Sequence, residues 1–411
     1  MNRYWLFAPA ILERFRFSRK RGNAPILCFH AFPNAKSLRI FAGIALAATT
    51  FAGVEQASAG ECSAPCIDYY AYMETVGNWN RFPARSDDDY FAAAPTVEFT
   101  ASYRPVEGVA FFGHLITEEV KDEEPGVNQY FHHVGTYVSE LNAQFHIGGI
   151  GLRVGKFHPA FGKAWDITPG IHGTDLAGNY ELKERVGASV AYGFETGSFH
   201  NEIEFAAFGV DRSSLSESLF TNRGRHTLED GGAGNSDGIS SVALDFAGCL
   251  GAGAAGCYDE GSFGYRLGAR YQKGGEHSFG NETGLLGGLN GNVALGNETT
   301  LKLFTEAAWF NNFGGGPDDA LFLTVSAALQ REAMTYSIAY TQQREQITDE
   351  PDLVEHLFDA TVAYKFGQDL GLSNESWQIA AGYAFDKHGD DRKHTFGIRL
   401  SAEFEGSHEF H

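Results

Sequence analysis

From residue 95 onward the chain is a succession of segments of about ten residues in which apolar and polar side chains alternate. Val97, Phe99, Ala101 and Tyr103 alternate with Thr96, Glu98, Thr100 and Ser102, and the same period of two recurs over 186–194, 263–271, 377–385 and 396–404. Successive side chains of an extended chain point to opposite faces, so each segment has one apolar and one polar face. No helical stripe of comparable length competes. The period predicts an all-β protein of about sixteen strands.

Alternating strands fit either a soluble sandwich or a transmembrane barrel, and the connections between them discriminate. Tight turns are expected at 104–108, 148–149, 196–198, 296–297 and 331–332. Wider polar connections fall between them at 77–94, 119–129, 158–182, 211–238, 273–281, 311–319, 344–352 and 387–392. Two joins on the short side, 248–261 and 367–375, are longer than the rest. Short on one side and long on the other is the pattern of a transmembrane antiparallel β-barrel, with short periplasmic turns and long extracellular loops. Aromatic residues at strand ends read as the girdles of two membrane interfaces: Tyr192, Phe194, Trp309, Phe310, Tyr364, Phe366, Tyr383, Phe385 and Phe404. The barrel is placed at 95–411, with 60–94 as an N-terminal segment whose strand near 67–76 makes the count even. Only 3 methionines and a mean hydropathy of -0.24 argue against helical bundles and polytopic helical membrane proteins.

Residues 1–59 read as a leader. Its core, 36–59, has Lys36 and Arg39, an apolar run too short to span a bilayer, and an Ala57-Ser58-Ala59 cleavage site, which together predict Sec export and cleavage near Ala59. Residues 1–35 are basic and non-periodic, and read as leader rather than structure. The whole chain carries a formal charge of -21; removing eight basic and two acidic leader residues leaves 23 basic and 50 acidic side chains, about -27. Such a charge repels phosphate backbones and argues against a nucleic-acid partner. Four cysteines remain beyond Cys28. Cys62, Cys66, Cys249 and Cys257 read as two disulfides in an oxidising compartment, local pairing being simplest of three connectivities. They lack the paired spacing of a zinc site, and neither a metal nor a cofactor is expected.

If the apolar faces meet lipid, their partners line a lumen. Glu98, Glu140, Asn142, Gln144, His146, Arg153, Arg185, Glu202, Glu204, Asp245, Arg266, Arg270, Lys302, Glu306, Glu355, Asp359, Lys365, Arg399 and Glu403 predict a wet interior of mixed charge rather than a packed core. Sixteen strands leave an aqueous channel. The connection 157–182 is richer in Pro, Gly and aromatics than a solvated loop. In signal, strand count and turn alternation the chain resembles the sixteen-stranded general porins. Gly155-Lys156-Phe157-His158-Pro159-Ala160-Phe161-Gly162 is similar to a stretch of phosphate-selective-type porins, over about a dozen residues.

That resemblance implies a third loop folded into the channel, with Asp166, His172 and Asp175 as constriction residues opposite Arg153 and Arg185; the plainer alternative is that Phe157, Phe161 and Trp165 serve as loop anchors of an external loop. It also implies a homotrimer. The acidic balance departs from a phosphate channel, whose path needs excess Arg and Lys. Acidic loops at 87–89, 118–124, 229–230, 318–319, 349–350 and 390–391 predict weak cation preference, or divalent-ion contacts with lipopolysaccharide. The expected function is passive diffusion of small hydrophilic solutes through the outer membrane. A substrate-specific channel for a sugar, amino acid or organic acid, and a closed structural or adhesive barrel, are the alternatives. No H-E-x-x-H occurs and nothing pairs a Ser with a His at catalytic spacing, so an enzyme is not expected, and about 35 residues ahead of strand 95 leave no room for a transporter plug.

Overall fold

In a computed structural model of the protein, the alternating segments become sixteen long strands. The residues described are 62–250, 262–296, 298–347, 351–367 and 377–410; the leader and its cleavage site, together with Cys257, lie outside them. The strands are β1 (Cys66–Arg81), β2 (Tyr90–Val106), β3 (Val109–Glu119), β4 (Val134–Ile147), β5 (Ile150–Phe157), β6 (Arg185–Thr196), β7 (Phe199–Val210), β8 (Ser241–Leu250), β9 (Phe263–Gln272), β10 (Glu282–Gly296), β11 (Thr299–Asn311), β12 (Asp319–Arg331), β13 (Met334–Gln346), β14 (Leu353–Lys365), β15 (Gln378–His388) and β16 (Asp391–Glu409). Each pairs antiparallel with its sequence neighbours. β1 pairs with β16 from Cys66 opposite Glu409 to Arg81 opposite His394, so the sheet closes on itself without a free edge. The first strand, inside the 60–94 segment, is therefore a wall strand like the others.

Two connections differ from the sequence expectation. The wide join at 387–392 is a two-residue turn at 389–390, and 77–94 shortens to 82–89. β1 and β2, like β15 and β16, carry their pairing up into segments that polar composition alone marks as loop. Cys62 and Cys66 form a disulfide at the foot of β1, while Cys249 sits on β8.

One sheet face is a belt of exposed apolar side chains that includes Leu141, Val190, Phe205, Leu267, Leu303 and Ile338. A contiguous apolar surface far larger than a few hundred Å² is untenable in water and belongs against lipid or another subunit. Near the short turns an aromatic row lies on that face: Tyr192 and Phe194 are 5.7 Å apart, Phe194 and Phe246 6.4 Å, and Phe246 and Tyr265 5.6 Å. Phe310, expected in a girdle, is instead fully buried on the inner face. Its neighbour Trp309 takes the outward position at 41% exposure. Among the described residues no helix is long and apolar enough to cross a membrane.

Candidate functional site

The chain leaves the wall after Phe157 and returns at Arg185. Between them it makes one helical turn, α1 (Ala164–Ile167), and a 3-10 turn at Ala177–Tyr180. Glu306 on β11, only 2% exposed, accepts hydrogen bonds from the backbone N–H of Lys163 (2.9 Å) and Ala164 (3.0 Å) and from the Tyr180 hydroxyl (2.5 Å). Asp359 on β14, fully buried, accepts the His172 N–H at 3.0 Å, and Thr361 Oγ1 accepts the Ile171 N–H at 3.1 Å. Asn179 donates to Gln343 on β13 at 2.8 Å, and Arg399 on β16 reaches the Gly170 carbonyl at 3.4 Å. A single loop that touches β11, β13, β14 and β16 of a closed sheet must run through its interior. The buried acids need these donors, because an unpaired carboxylate in the wall is strongly disfavoured.

The rest of the docking is apolar. Phe157 at the end of β5 and Phe161, Ala164, Ala177, Tyr180 and Leu182 from the loop pack on Phe208, Phe310 and Phe322 from the wall. Tyr180 meets Phe322 edge-on at 4.9 Å, and the Arg270 guanidinium lies 4.3 Å from the Phe310 ring centre. Trp165 packs beside this cluster and its indole N–H donates to the Phe161 carbonyl at 3.1 Å. The expectation of a wet interior throughout is thus corrected: one side of the lumen is a packed core. The signal was present in the sequence. On β7, β11 and β12 the alternation lapses, with Phe208, Phe310 and Phe322 apolar on the face that should be polar.

The loop stands between two cavities. Towards the short turns a cavity of about 440 Å³ is lined by Lys163 and Ile167 of the loop and by Glu195, Glu202, Arg266 and Glu306 of the wall. Towards the long loops a narrower one, about 70 Å³, lies between the loop tip and β1–β3. Glu74, Glu118, Glu119 and Glu123 line it from the β1–β3 side, Asp175 from the tip, and Glu355 and Asp386 from β14 and β15 of the adjoining wall. Lys393 is the lone ammonium among these lining residues.

His172 and Asp175 come together at this chamber, 3.4 Å apart as a pair. Asp166 lies further back, half-exposed and paired to Lys163 at 2.5 Å. Arg153 is committed to Glu204 at 2.9 Å and stacks over Phe157, while Arg185 stacks over Phe208. What stands across from the tip is therefore a row of glutamates.

A second device lies where the loop leaves the wall. β5 ends opposite Leu141, so the 134–140 stretch of β4 lacks that neighbour. The long connection after β7 fills the place: Leu219 and Phe220 pair with Thr136 and Gly135. Lys156, 3% exposed, binds Glu184 (2.7 Å), Asp211 (2.9 Å) and Ser216 (3.1 Å). Arg223 joins Glu184 at 2.6 Å and covers the Tyr137 ring. Burial raises the Asp211 pKa, but hydrogen bonds from Lys156, Ser216 and Ser213 outweigh it and hold the carboxyl below its ordinary range.

No protein-family model matches the chain, and no curated protein does. Solved structures do. OprB of Pseudomonas putida, at high pH, is 11% identical over 82% of this chain and 94% of its own, with a TM-score of 0.53. A loop L8 deletion mutant of OmpT, an outer membrane protein of Vibrio cholerae, is 12% identical over 83% and 100%, at 0.52. OmpF of Salmonella typhi, in complex with daunomycin, is 12% identical over 82% and 97%, at 0.51. At these identities the likeness carries the fold: a closed sixteen-stranded antiparallel barrel of the outer-membrane kind.

Proposed function

We propose that the protein is a porin: an outer-membrane channel for passive diffusion of small hydrophilic solutes, weakly preferring cations. The observation that carries this reading is the loop 157–182, docked inside the barrel and dividing the lumen into two chambers, of which the narrower has seven carboxylates and one lysine on its lining. Carboxylates around a low-dielectric passage raise the local concentration of cations and speed their entry. Export by the leader with cleavage near Ala59, contact with lipid and lipopolysaccharide, and assembly as a homotrimer through part of the apolar belt belong to the same reading. In it, His172 and Asp175 form the loop side of the constriction, and Glu74 and Glu118 its wall. The test is a planar bilayer holding purified protein in a KCl gradient. A steady open level with a cation-selective reversal potential is expected; an anion-selective potential, or no steady conductance, overturns the reading.

A further inference from the structure

We propose that Arg223, on the external connection after β7, is a positioning residue of the channel, fixing both the base of the inserted loop and the chamber carboxylate Glu118. This deepens the channel reading and rests on it. Arg223 lies on neither a long strand nor the inserted loop, yet its guanidinium joins three elements. Its Nε donates to the Ser216 carbonyl of the same segment at 2.7 Å, and Nη2 donates to Glu184 at 2.6 Å. The flat face covers Tyr137 of β4, 3.4 Å from the ring centre. Tyr137, 7% exposed, donates through its hydroxyl to Glu118 at 2.7 Å. Glu118 lines the narrow chamber.

Lys156 directly precedes Phe157, where the chain leaves the wall, and Glu184 directly precedes Arg185, where it returns. The two residues bracket the inserted loop and stand 2.7 Å apart at its neck. Arg223 and Lys156 share the same Glu184 oxygen, and the Asp211 N–H donates to the Glu184 carbonyl at 3.1 Å. The external segment therefore closes the neck of the loop. Without Arg223, Glu184 keeps one cation instead of two, and the neck loosens. The stacked guanidinium also restrains the Tyr137 ring, whose hydroxyl sets the direction of Glu118. Lysine would supply the charge but neither the planar fork nor the flat face, so the position needs arginine for its geometry.

The sign of a selectivity change separates positioning from charge. Removing a cation near an acidic mouth raises cation preference if charge is all that Arg223 contributes. Loss of positioning acts the other way, because a looser loop widens the passage and weakens the field within it. In planar bilayers Arg223→Gln is expected to raise single-channel conductance and to lower the K⁺/Cl⁻ permeability ratio by about twofold. Arg223→Lys should move both in the same directions, less far. Arg225→Gln, a half-exposed control paired with Glu217 at 3.7 Å, should leave conductance unchanged. Hydrogen exchange at Glu181 and Asp211 in the detergent-solubilised protein should quicken by about tenfold in Arg223→Gln, a readout that does not depend on current. Each variant is verified as folded by heat-modifiable migration, and if Arg223→Gln does not fold, Arg223→Lys decides by the same readouts. A raised permeability ratio at unchanged conductance, or unchanged exchange at both amides, overturns the proposal. An unaltered protein that passes no steady current overturns the channel reading instead, and the exchange result still decides whether Arg223 holds the loop.

Discussion

Glu306 and Asp359 hold the inserted loop at its base and at its tip, and each does so with a buried carboxylate aimed at backbone N–H groups. Three donors converge on Glu306. Hydrogen bonds to a charged acceptor contribute about 1.5–3 kcal/mol each and are not additive, so Glu306→Ala is expected to weaken docking by about 3–5 kcal/mol. Limited proteolysis of 158–184, together with a raised single-channel conductance, would report it; unchanged protection would show that the aromatic packing alone suffices. Gly170 makes the other end possible. Its φ is +121°, and an added Cβ would lie 2.1 Å from Asp359 Oδ1. Gly170→Ala should therefore displace the tip and speed hydrogen exchange at Ile171 and His172, whose N–H groups would lose their acceptors.

At the scale of elements, the segment 211–223 supplies the barrel edge that β5 leaves open, and a buried ion cluster fastens it. Removing one member of a buried cluster leaves the others uncompensated, typically at about 3–5 kcal/mol. Lys156→Met is expected to release the segment to protease while leaving the barrel closed, because the β4–β5 and β6–β7 ladders do not involve the Lys156 side chain. The same clasp responds to pH. Asp211 has a depressed folded pKa, so its stabilising contribution is complete above the unfolded value of about 3.9 and disappears as pH falls through the lower folded value. Protection of 211–223 should persist from neutral pH to about pH 5 and fail below about pH 4. Loss of protection between pH 6 and 7 would assign the response to another group.

For the whole molecule, an apolar exterior and a divided, acidic interior have separate consequences. The exterior predicts an assembly that survives mild detergent, and light scattering of the purified complex should give three chains; a monomer would show that lipid covers the whole belt. The interior predicts that cation preference comes chiefly from the chamber lining. Glu118→Gln with Glu355→Gln should move the KCl reversal potential towards zero by an amount that shrinks at high salt, as screening over about 10 Å at 0.1 M requires. A shift that persists at 1 M KCl would place the selective charges elsewhere.

Period-2 alternation, turn spacing and strand parity determined the barrel from sequence, because a strand that separates lipid from water must write that separation into every second residue. Many residues of the inner face were legible for the same reason, but Glu74 and Asn78 on β1 and Asp386 on β15 were not among those expected there. What alternation could not convey was the docking of the loop, since hydrogen-bond partners that hold it on β11 and β16 lie 126 to 229 residues away. Phe310 fits a girdle as well as a core until the inner wall is seen to be covered. Nor did composition reveal that Arg153 and Arg185 are committed to neighbours while glutamates face the tip. Which charges meet across a lumen is set by the curvature of the closed sheet and by the path of one loop, and both exist only once the last strand has paired with the first.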